Sequence, residues 1–228
     1  MKSAASFEGS DSARSGTLYG HCGVLIPAFD EARTIGSVVK TALKAKLGPV
    51  LVVDDGSNDD TAERAREAGA SVLVLATNIG KGGAVAAGAR ALQTEVIVLI
   101  DADLTGLKSE HLVELAAPVL EGKVEMTRGT FLGGRWTTAT AQRLAPQLNG
   151  QRAIRRQSLL NIDGLERSRY GLEIAITEYA RRIGWRTSNV PLHGVSQVMK
   201  EEKRGLIKGF IDRLRMYRDI VTTLLGRA

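Results

Sequence analysis

Short, continuous runs of apolar residues, mostly β-branched, recur along the N-terminal half of the chain. They lie at residues 24–26, 50–53, 72–75 and 96–100. Continuous apolar runs of this length are typical of strands that are covered on both faces. Amphipathic segments separate the runs, at about 31–46, 59–69 and 82–93. Strands that alternate with helices in this way predict an α/β fold, with an open, mostly parallel sheet flanked by helices.

The pattern is less regular after Gly106. It predicts, in order, a helix at 109–120, a strand at 124–128, a Gly/Arg/Thr-rich stretch at 128–140, a helix at 172–183, short strands within 187–198 and a long amphipathic helix at about 201–225. The apolar stripe of the last helix favours packing on the domain or on a second subunit over lying on an anionic membrane. We therefore expect a flexible arm at 1–22, a single domain at 23–200 and a C-terminal helix at 201–228.

Polar residues follow the predicted strands, where the carboxyl ends of parallel strands form the ligand-binding edge of such sheets. Asp101 and Asp103 come directly after the fourth strand, and two hard carboxylates there favour Mg²⁺ or Mn²⁺ over a simple loop start with a helix cap. Asp54 or Asp55 can accept a hydrogen bond from a base or a ribose, whereas Asp59 is better explained as a helix cap.

A glycine-rich stretch around Lys81 follows the third strand. It lacks the spacing of a P-loop and the third glycine of a dinucleotide-binding turn. Two interpretations stay open: an anion site at the start of a helix, with Lys81 beside the backbone donors, or a glycine-rich turn with a solvated lysine.

Charge is distributed unevenly along the 228 residues. The net charge of +6 combines −5 in residues 1–127 with +11 in residues 128–228. The single cysteine excludes an internal disulfide, and no apolar run has the roughly 18 residues that a spanning helix needs. The N-terminus lacks a signal-peptide core, so we expect a cytoplasmic protein, at most peripheral to the membrane. A 4% aromatic content argues against nucleic acid as a partner.

These motifs, in this order and spacing, resemble the donor half of family 2 glycosyltransferases with the GT-A fold, a Rossmann-like open sheet. The resemblance implies a metal-dependent hexosyltransferase that uses a nucleotide-diphosphate-sugar donor and Mg²⁺ or Mn²⁺. It divides the domain into a nucleotide-sugar-binding half (23–106) and an acceptor half (107–200). The implied donor-binding residues are Pro27, Ala28, Glu31, Asp54, Asp55, Lys81, Asp101 and Asp103, with Asp101 and Asp103 also as metal ligands. The family commonly has Asn at the position of Asp30, which implies a changed contact in the nucleoside pocket.

The acceptor half is similar to two branches of the family. The segments around Gly134 and Tyr170 resemble glucosyl-3-phosphoglycerate synthases, and the donor motifs are shared with dolichyl-phosphate mannosyltransferase-like enzymes. Either relative implies an anionic acceptor, phosphoglycerate-like or a polyprenyl phosphate, and they differ in the stereochemistry of transfer. The implied acceptor-binding residues are Gly134, Arg135, Thr137 and Arg152, and the implied catalytic residues are Asp103 and Glu173.

Histidine is missing from the segment where the synthases complete the metal shell. Gln197 is a candidate oxygen donor in its place, and His193 is interpreted as a structural or surface residue. Arg155 and Arg156 are further candidates for anion recognition, although at least one of them is expected in a solvated turn. A different class of function also stays open: a non-catalytic module whose basic face binds membrane or nucleic acid beside a degenerate transferase site. A homodimer and a peripheral membrane contact are the remaining expectations about partners.

Overall fold

The structure is a computed structural model that describes residues 21–132, 150–168 and 171–197. Its strands are β1 Cys22–Ala28, β2 Val50–Asp54, β3 Ser71–Val74, β4 Val96–Leu99, β5 Leu104–Thr105, β6 Met126–Leu132, β7 Arg152–Arg155, β8 Thr187–His193 and β9 Ser196–Gln197. Its helices are α1 Ile35–Lys44, α2 Thr61–Glu67, α3 Lys81–Ala91, α4 Ser109–Leu120, α5 Arg156–Leu160 and α6 Leu172–Ile183, with a 3₁₀ turn at Leu165–Arg167.

The main sheet of the described residues has the strand order β3-β2-β1-β4-β7-β6-β8. Strands β1 to β4 pair in parallel, and β8 pairs in parallel with β6. Only β7 runs antiparallel to its neighbours in this sheet. The predicted open, mostly parallel α/β architecture is therefore confirmed. A separate two-stranded ribbon joins β5 to β9.

Each face of the sheet is covered by its own hydrophobic core. Along β1, Val24 and Ile26 contribute to the core under α1 and α4, whereas Leu25 points to the opposite core under α3 and α6. This two-sided burial explains why the strands of the N-terminal half have apolar residues at consecutive positions. The helices complete both layers, and the turns after β1, β2, β3 and β4 are left for polar side chains.

The predicted strands and most of the helices are confirmed, with shifted ends. α1 begins at Ile35 rather than at Glu31. Residues 32–34 form a turn before it, in which the Glu31 carbonyl accepts hydrogen bonds from the amides of Thr34 and Ile35. β6 begins at Met126 and continues into the stretch expected to be irregular.

The segment that contains Arg152, Arg155 and Arg156 is where the sequence prediction was wrong. Arg152 to Arg155 form β7, an interior strand of the sheet, and α5 follows directly. Arg155 forms an ion pair with Glu95, and Arg156 Nε donates to the Ala89 carbonyl at 2.7 Å, so neither arginine lies in a solvated turn.

Other expectations fall outside the described residues. They concern most of the N-terminal arm, the stretch 133–149 and the C-terminal helix at 201–228. Across the three described ranges, no helix combines the length and hydrophobicity that crossing a membrane requires.

Candidate active site

Asp101, at the carboxyl end of β4, is the residue on which the site converges. Its Oδ1 accepts a hydrogen bond from Lys81 Nζ at 2.6 Å. Its Oδ2 accepts hydrogen bonds from Gln151 Nε2 at 2.9 Å and from Gln197 Nε2 at 2.8 Å. Gly150 approaches so closely that a Cβ there would lie 2.5 Å from both carboxylate oxygens. Segments far apart in sequence therefore meet at one buried carboxylate.

Lys81 links Asp101 to the acceptor half. It is the first residue of α3, and its Nζ also contacts Glu173 Oε1 at 2.5 Å in the first turn of α6. The Lys81 side chain is 27% exposed and those of Asp101 and Glu173 are 11% and 12% exposed. Burial opposes the charge on Lys81, but the two carboxylates more than offset it and raise the pKa of Lys81 above its ordinary value. The ammonium group is thus held charged between the halves.

Asp55 organises the glycine-rich turn before Lys81. Its Oδ1 and Oδ2 accept hydrogen bonds from the backbone amides of Ile79 and Gly80, each at 2.8 Å. Gly80 has a φ of 89°, a conformation that glycine adopts readily. Asp55 therefore positions the start of α3, which carries Lys81, in addition to any contact with a ligand.

Asp54, the last residue of β2, lies beside this turn at the same edge. It is 3% exposed, and its Oδ1 accepts a hydrogen bond from the Ser57 amide at 2.9 Å. Ala28 ends the neighbouring strand β1, in register with Asp54, and its carbonyl accepts a hydrogen bond from the Asp55 amide at 2.8 Å. Pro27 precedes it in β1. The predicted nucleoside residues of β1 and β2 thus lie together at the strand ends.

The turn after β1 is fastened to the turn after β2. Asp30 Oδ1 accepts a hydrogen bond from the Asn58 amide at 2.9 Å, and the Glu31 amide donates to Thr61 Oγ1 at 2.8 Å. Asp30 has a φ of 54°, in the left-handed region where Asp and Asn are better tolerated than most residues. Asp59, expected to cap α2, lies one residue before the N-cap, which is Asp60. Its Oδ1 accepts a hydrogen bond from the amide of Thr61, the first residue of α2, at 3.0 Å.

Asp103 is the more accessible of the two predicted metal ligands. It is half-buried, whereas Asp101 is 8% exposed and accepts the three N–H donors described above. Within the described ranges, no group of three or more His, Cys, Asp and Glu side chains is arranged to hold a metal ion. Mg²⁺ commonly takes one or two carboxylates and completes its shell with substrate phosphates and water. The hard oxygen donors present fit an ion shared between the protein and a bound diphosphate.

Gln197 belongs to the acceptor half and contacts Asp101 of the donor half. Gln197 is the last residue of β9, which pairs with β5, the strand directly after Asp103. Gly106 and Gly194 are in close contact beside this pair, since a Cβ on Gly106 would lie 2.0 Å from the Gly194 carbonyl oxygen. The Gln197 amide therefore lies beside the predicted metal site, and its role as an oxygen donor stays a prediction. His193, at the end of β8, is exposed.

Arg152 lies inside the sheet rather than on a turn that faces an acceptor. Its side chain is fully buried, and Nη1 donates to Thr177 Oγ1 at 3.1 Å. Thr177 Oγ1 in turn donates to the Glu173 carbonyl at 2.7 Å. Burial lowers the pKa of Arg152 to about 10. The Arg152 guanidinium is thus linked through Thr177 to the backbone of Glu173 in the first turn of α6. A prediction that places Arg152 in a turn could not indicate this contact.

The structure brings together the predicted residues Asp101, Asp103, Lys81 and Glu173, and it places the nucleoside candidates along the same edge. Gly134, Arg135 and Thr137 lie outside the described residues. Sequence reasoning missed Gln151, whose only signal was its position after Gly150, and Thr177, which a helical position four residues after Glu173 could have indicated.

Comparison with known proteins adds independent findings. The family model described as glycosyl transferase family 2 matches residues 23–169. Glycosyltransferase AglJ of Haloferax volcanii is 29% identical, over 74% of this chain and 61% of its own length. Glucosyl-3-phosphoglycerate synthase of Mycolicibacterium smegmatis is 28% identical, over 90% of this chain and 76% of its own length.

A solved structure resembles this fold over almost the whole chain. It is the crystal structure of glucosyl-3-phosphoglycerate synthase from Mycobacterium tuberculosis in complex with Mn²⁺, UDP-glucose and phosphoglyceric acid. The match has a TM-score of 0.73 and 25% sequence identity, and it covers 95% of this chain and 82% of that one.

Proposed function

Because the chain belongs to glycosyl transferase family 2, we propose that it transfers a sugar from a nucleotide-diphosphate-sugar to an anionic, phosphorylated acceptor, with Mg²⁺ or Mn²⁺ as its cofactor. The observation that carries this proposal is the convergence of Lys81, Gln151 and Gln197 on Asp101 at the carboxyl edge of the sheet. The preferred reaction is transfer of glucose from UDP-glucose to phosphoglycerate, by similarity to the mycobacterial synthases.

The charge distribution supports this assignment of the two substrates. Carboxylates dominate the donor half, so a nucleotide diphosphate there needs a cation between its phosphates and Asp103. A divalent ion bound at Asp103 would neutralise the negative charge that develops on the departing diphosphate. The acceptor half has the excess of arginine and lysine that an anionic acceptor requires.

Glu173 and Lys81 act as a pair in this scheme. The Lys81 ammonium holds the Glu173 carboxylate beside Asp101, in the space where donor and acceptor would meet. A fixed carboxylate there can accept hydrogen bonds from the hydroxyls of the transferred sugar and keep its anomeric carbon aligned with the acceptor. An ionised acceptor phosphate needs no general base, whereas a hydroxyl acceptor can use Glu173 in that role.

A transfer assay tests the proposal. Purified protein is incubated with UDP-glucose and other nucleotide sugars, with 3-phosphoglycerate, and with Mn²⁺, Mg²⁺ or EDTA, and release of the nucleotide diphosphate is measured. We expect transfer that EDTA abolishes. Asp103→Asn is expected to lower kcat/KM by about 100-fold or more through loss of electrostatic stabilisation. Asp163→Asn removes an exposed carboxylate outside the site and serves as the control.

Two results would contradict the proposal: no transfer and no donor hydrolysis with any nucleotide sugar, or unchanged activity in Asp103→Asn with saturating Mn²⁺. Calorimetry with nucleotide sugars distinguishes the proposed transferase from a non-catalytic module. The transferase is expected to bind a nucleotide sugar, whereas the module would bind membrane or nucleic acid and no nucleotide sugar.

The finer proposals about partners concern the acceptor class and assembly. A polyprenyl phosphate supplied in vesicles competes with phosphoglycerate in the same assay and separates the two acceptors. Flotation with anionic vesicles tests peripheral membrane contact, and light scattering of the purified protein tests the homodimer.

A further inference from the structure

Two arginines lie side by side in the interior of the acceptor half. Arg128 on β6 is the direct cross-strand partner of Arg152 on β7. Directly paired residues of neighbouring strands share a face of the sheet and have Cβ atoms about 5 Å apart, so like charges at such positions repel each other. On its other side Arg128 pairs with Asn189 of β8. A polar row thus crosses β7, β6 and the edge strand β8, where Asn189 is exposed.

The charge of Arg128 is not compensated within the described part of the chain. Its Nε is buried and has no hydrogen-bond partner there, and no carboxylate in those ranges forms an ion pair with it. The residue as a whole is half-buried, so part of Arg128 is open to solvent. A buried donor that lacks a partner costs free energy unless a ligand supplies the acceptor.

Arg152 adds a second positive charge beside Arg128, on the neighbouring strand. It is fully buried, and burial lowers its pKa to about 10, with Arg128 adding to the lowering and Glu173 opposing it. Glu173 is already ion-paired with Lys81. The negative charge of Glu173 is therefore shared between Arg152 and Lys81.

The row lies next to the proposed reaction centre. Arg152 pairs with Leu99, two residues before Asp101, which corresponds to roughly 7 Å along the strand. The amide of Gly129, the residue after Arg128, donates to the Gln151 carbonyl at 2.8 Å, and Gln151 binds Asp101. Arg128 is thus one strand farther into the acceptor half than the residues that surround Asp101.

We propose that Arg128, backed by Arg152, binds the phosphate group of the acceptor. The inference rests on the proposed function and adds a binding residue outside the segment of Arg135. A planar guanidinium matches two phosphate oxygens at once, and a phosphomonoester carries enough negative charge to offset two adjacent cations. A phosphate at the solvent-open part of Arg128 neutralises a guanidinium whose buried Nε has no acceptor within the described residues.

Kinetics with Arg128→Gln test the proposal. We expect KM to rise at least tenfold for both 3-phosphoglycerate and glycerol 3-phosphate, while KM for the nucleotide sugar stays unchanged. Glycerate, which has the carboxylate but no phosphate, is the comparison substrate, and its rate is expected to be the same for wild type and variant. Arg181→Gln removes a positive charge from an exposed position of α6 and is the matched control. Unchanged KM for both phosphorylated acceptors would overturn the proposal.

Thermal unfolding gives a readout that does not depend on transfer. Inorganic phosphate is expected to raise the Tm of the wild type and of Arg181→Gln, and not that of Arg128→Gln. In phosphate-free buffer Arg128→Gln is expected to melt at or above the wild-type Tm, because the repulsion with Arg152 is relieved. A lower Tm together with an unaltered response to phosphate would show a structural arginine and no phosphate site.

The two experiments separate this inference from the proposed function. If phosphate stabilises the wild type through Arg128 but no acceptor receives sugar, the phosphate site stands and the proposed function fails. If sugar transfer occurs and Arg128→Gln keeps the wild-type KM for phosphorylated acceptors, the proposed function stands and the phosphate site is wrong.

Discussion

The donor half and the acceptor half place their charged residues in different parts of the same sheet. In the donor half the strands β1, β2 and β4 are buried along their length, and apart from Asp54 at the end of β2 the carboxylates stand in the turns that follow. In the acceptor half the strands themselves carry charge, with Arg128 inside β6 and Arg152 at the start of β7. The charged residues therefore lie mostly outside the buried strands in the donor half, whereas in the acceptor half they lie within the strands.

This difference has a consequence for stability. Most substitutions of the donor-half carboxylates act on turns, whereas Arg152 of the acceptor half is part of the packed interior and is proposed to support acceptor binding. We expect stability and activity to be separable in the donor half and coupled in the acceptor half. Lys81 joins the two, because Asp101 belongs to one half and Glu173 to the other.

The largest effect is expected for Lys81→Met. The substitution leaves two largely buried carboxylates side by side without their cation, and breaking such an arrangement costs about 3 kcal/mol of unfolding free energy. We also expect kcat/KM to fall by about 100-fold or more, because Asp101 and Glu173 lose their alignment. Urea unfolding and the transfer assay measure the two effects.

Lys123→Met is the control, since the Lys123 side chain is 71% exposed and its ion pair is with the exposed Glu121. It should change the unfolding free energy by less than about 0.5 kcal/mol. Equal losses in the two variants would mean that Lys81 does not couple the halves.

A pair of glycine substitutions compares the halves directly. In Gly88→Ala, on α3, the new Cβ would lie 2.3 Å from Leu25 Cδ1, so we expect overpacking to cost about 2 kcal/mol while the folded protein keeps its kcat. In Gly150→Ala the new Cβ would meet the Asp101 carboxylate at 2.5 Å, so we expect kcat to fall about 100-fold through displacement of that group. Thermal unfolding and single-turnover kinetics distinguish the two patterns, and a similar loss of kcat in both variants would contradict the comparison.

The same contrast explains what could be predicted from sequence. The parallel strands of the donor half could be predicted because burial on both faces leaves a continuous apolar run, and Asp101 and Asp103 follow such a run directly. Arg152 could not be placed, because a strand with arginine at both ends lacks that pattern. Its burial depends on Thr177, Met126 and Glu173, which are contacts between distant segments.

Thr177→Val tests the coupling in the acceptor half on a smaller scale. The hydroxyl accepts a hydrogen bond from Arg152 and donates to the Glu173 carbonyl, so its loss leaves a buried donor without its partner. We expect a loss of about 1–2 kcal/mol in unfolding free energy and a several-fold rise in KM for the acceptor. Thr41→Val removes the equivalent hydroxyl-to-carbonyl bond from the exposed face of α1 and should leave both quantities nearly unchanged. An effect on stability alone would show that Thr177 does not position Glu173.

The smallest effect is expected at His111, in the first turn of α4. Its Nδ1 accepts a hydrogen bond from the Lys108 amide at 3.2 Å, and burial lowers the pKa of His111 below its ordinary value of 6.5. As the pH falls through about 6.5 the unfolded chain therefore binds more protons at this residue than the folded chain does, so the contribution of His111 to the unfolding free energy declines as the pH falls. In His111→Asn the side-chain oxygen can still accept the Lys108 hydrogen bond but does not titrate, so urea unfolding at several pH values should show a flatter profile than in wild type. A wild-type slope in His111→Asn would assign the pH dependence to other groups.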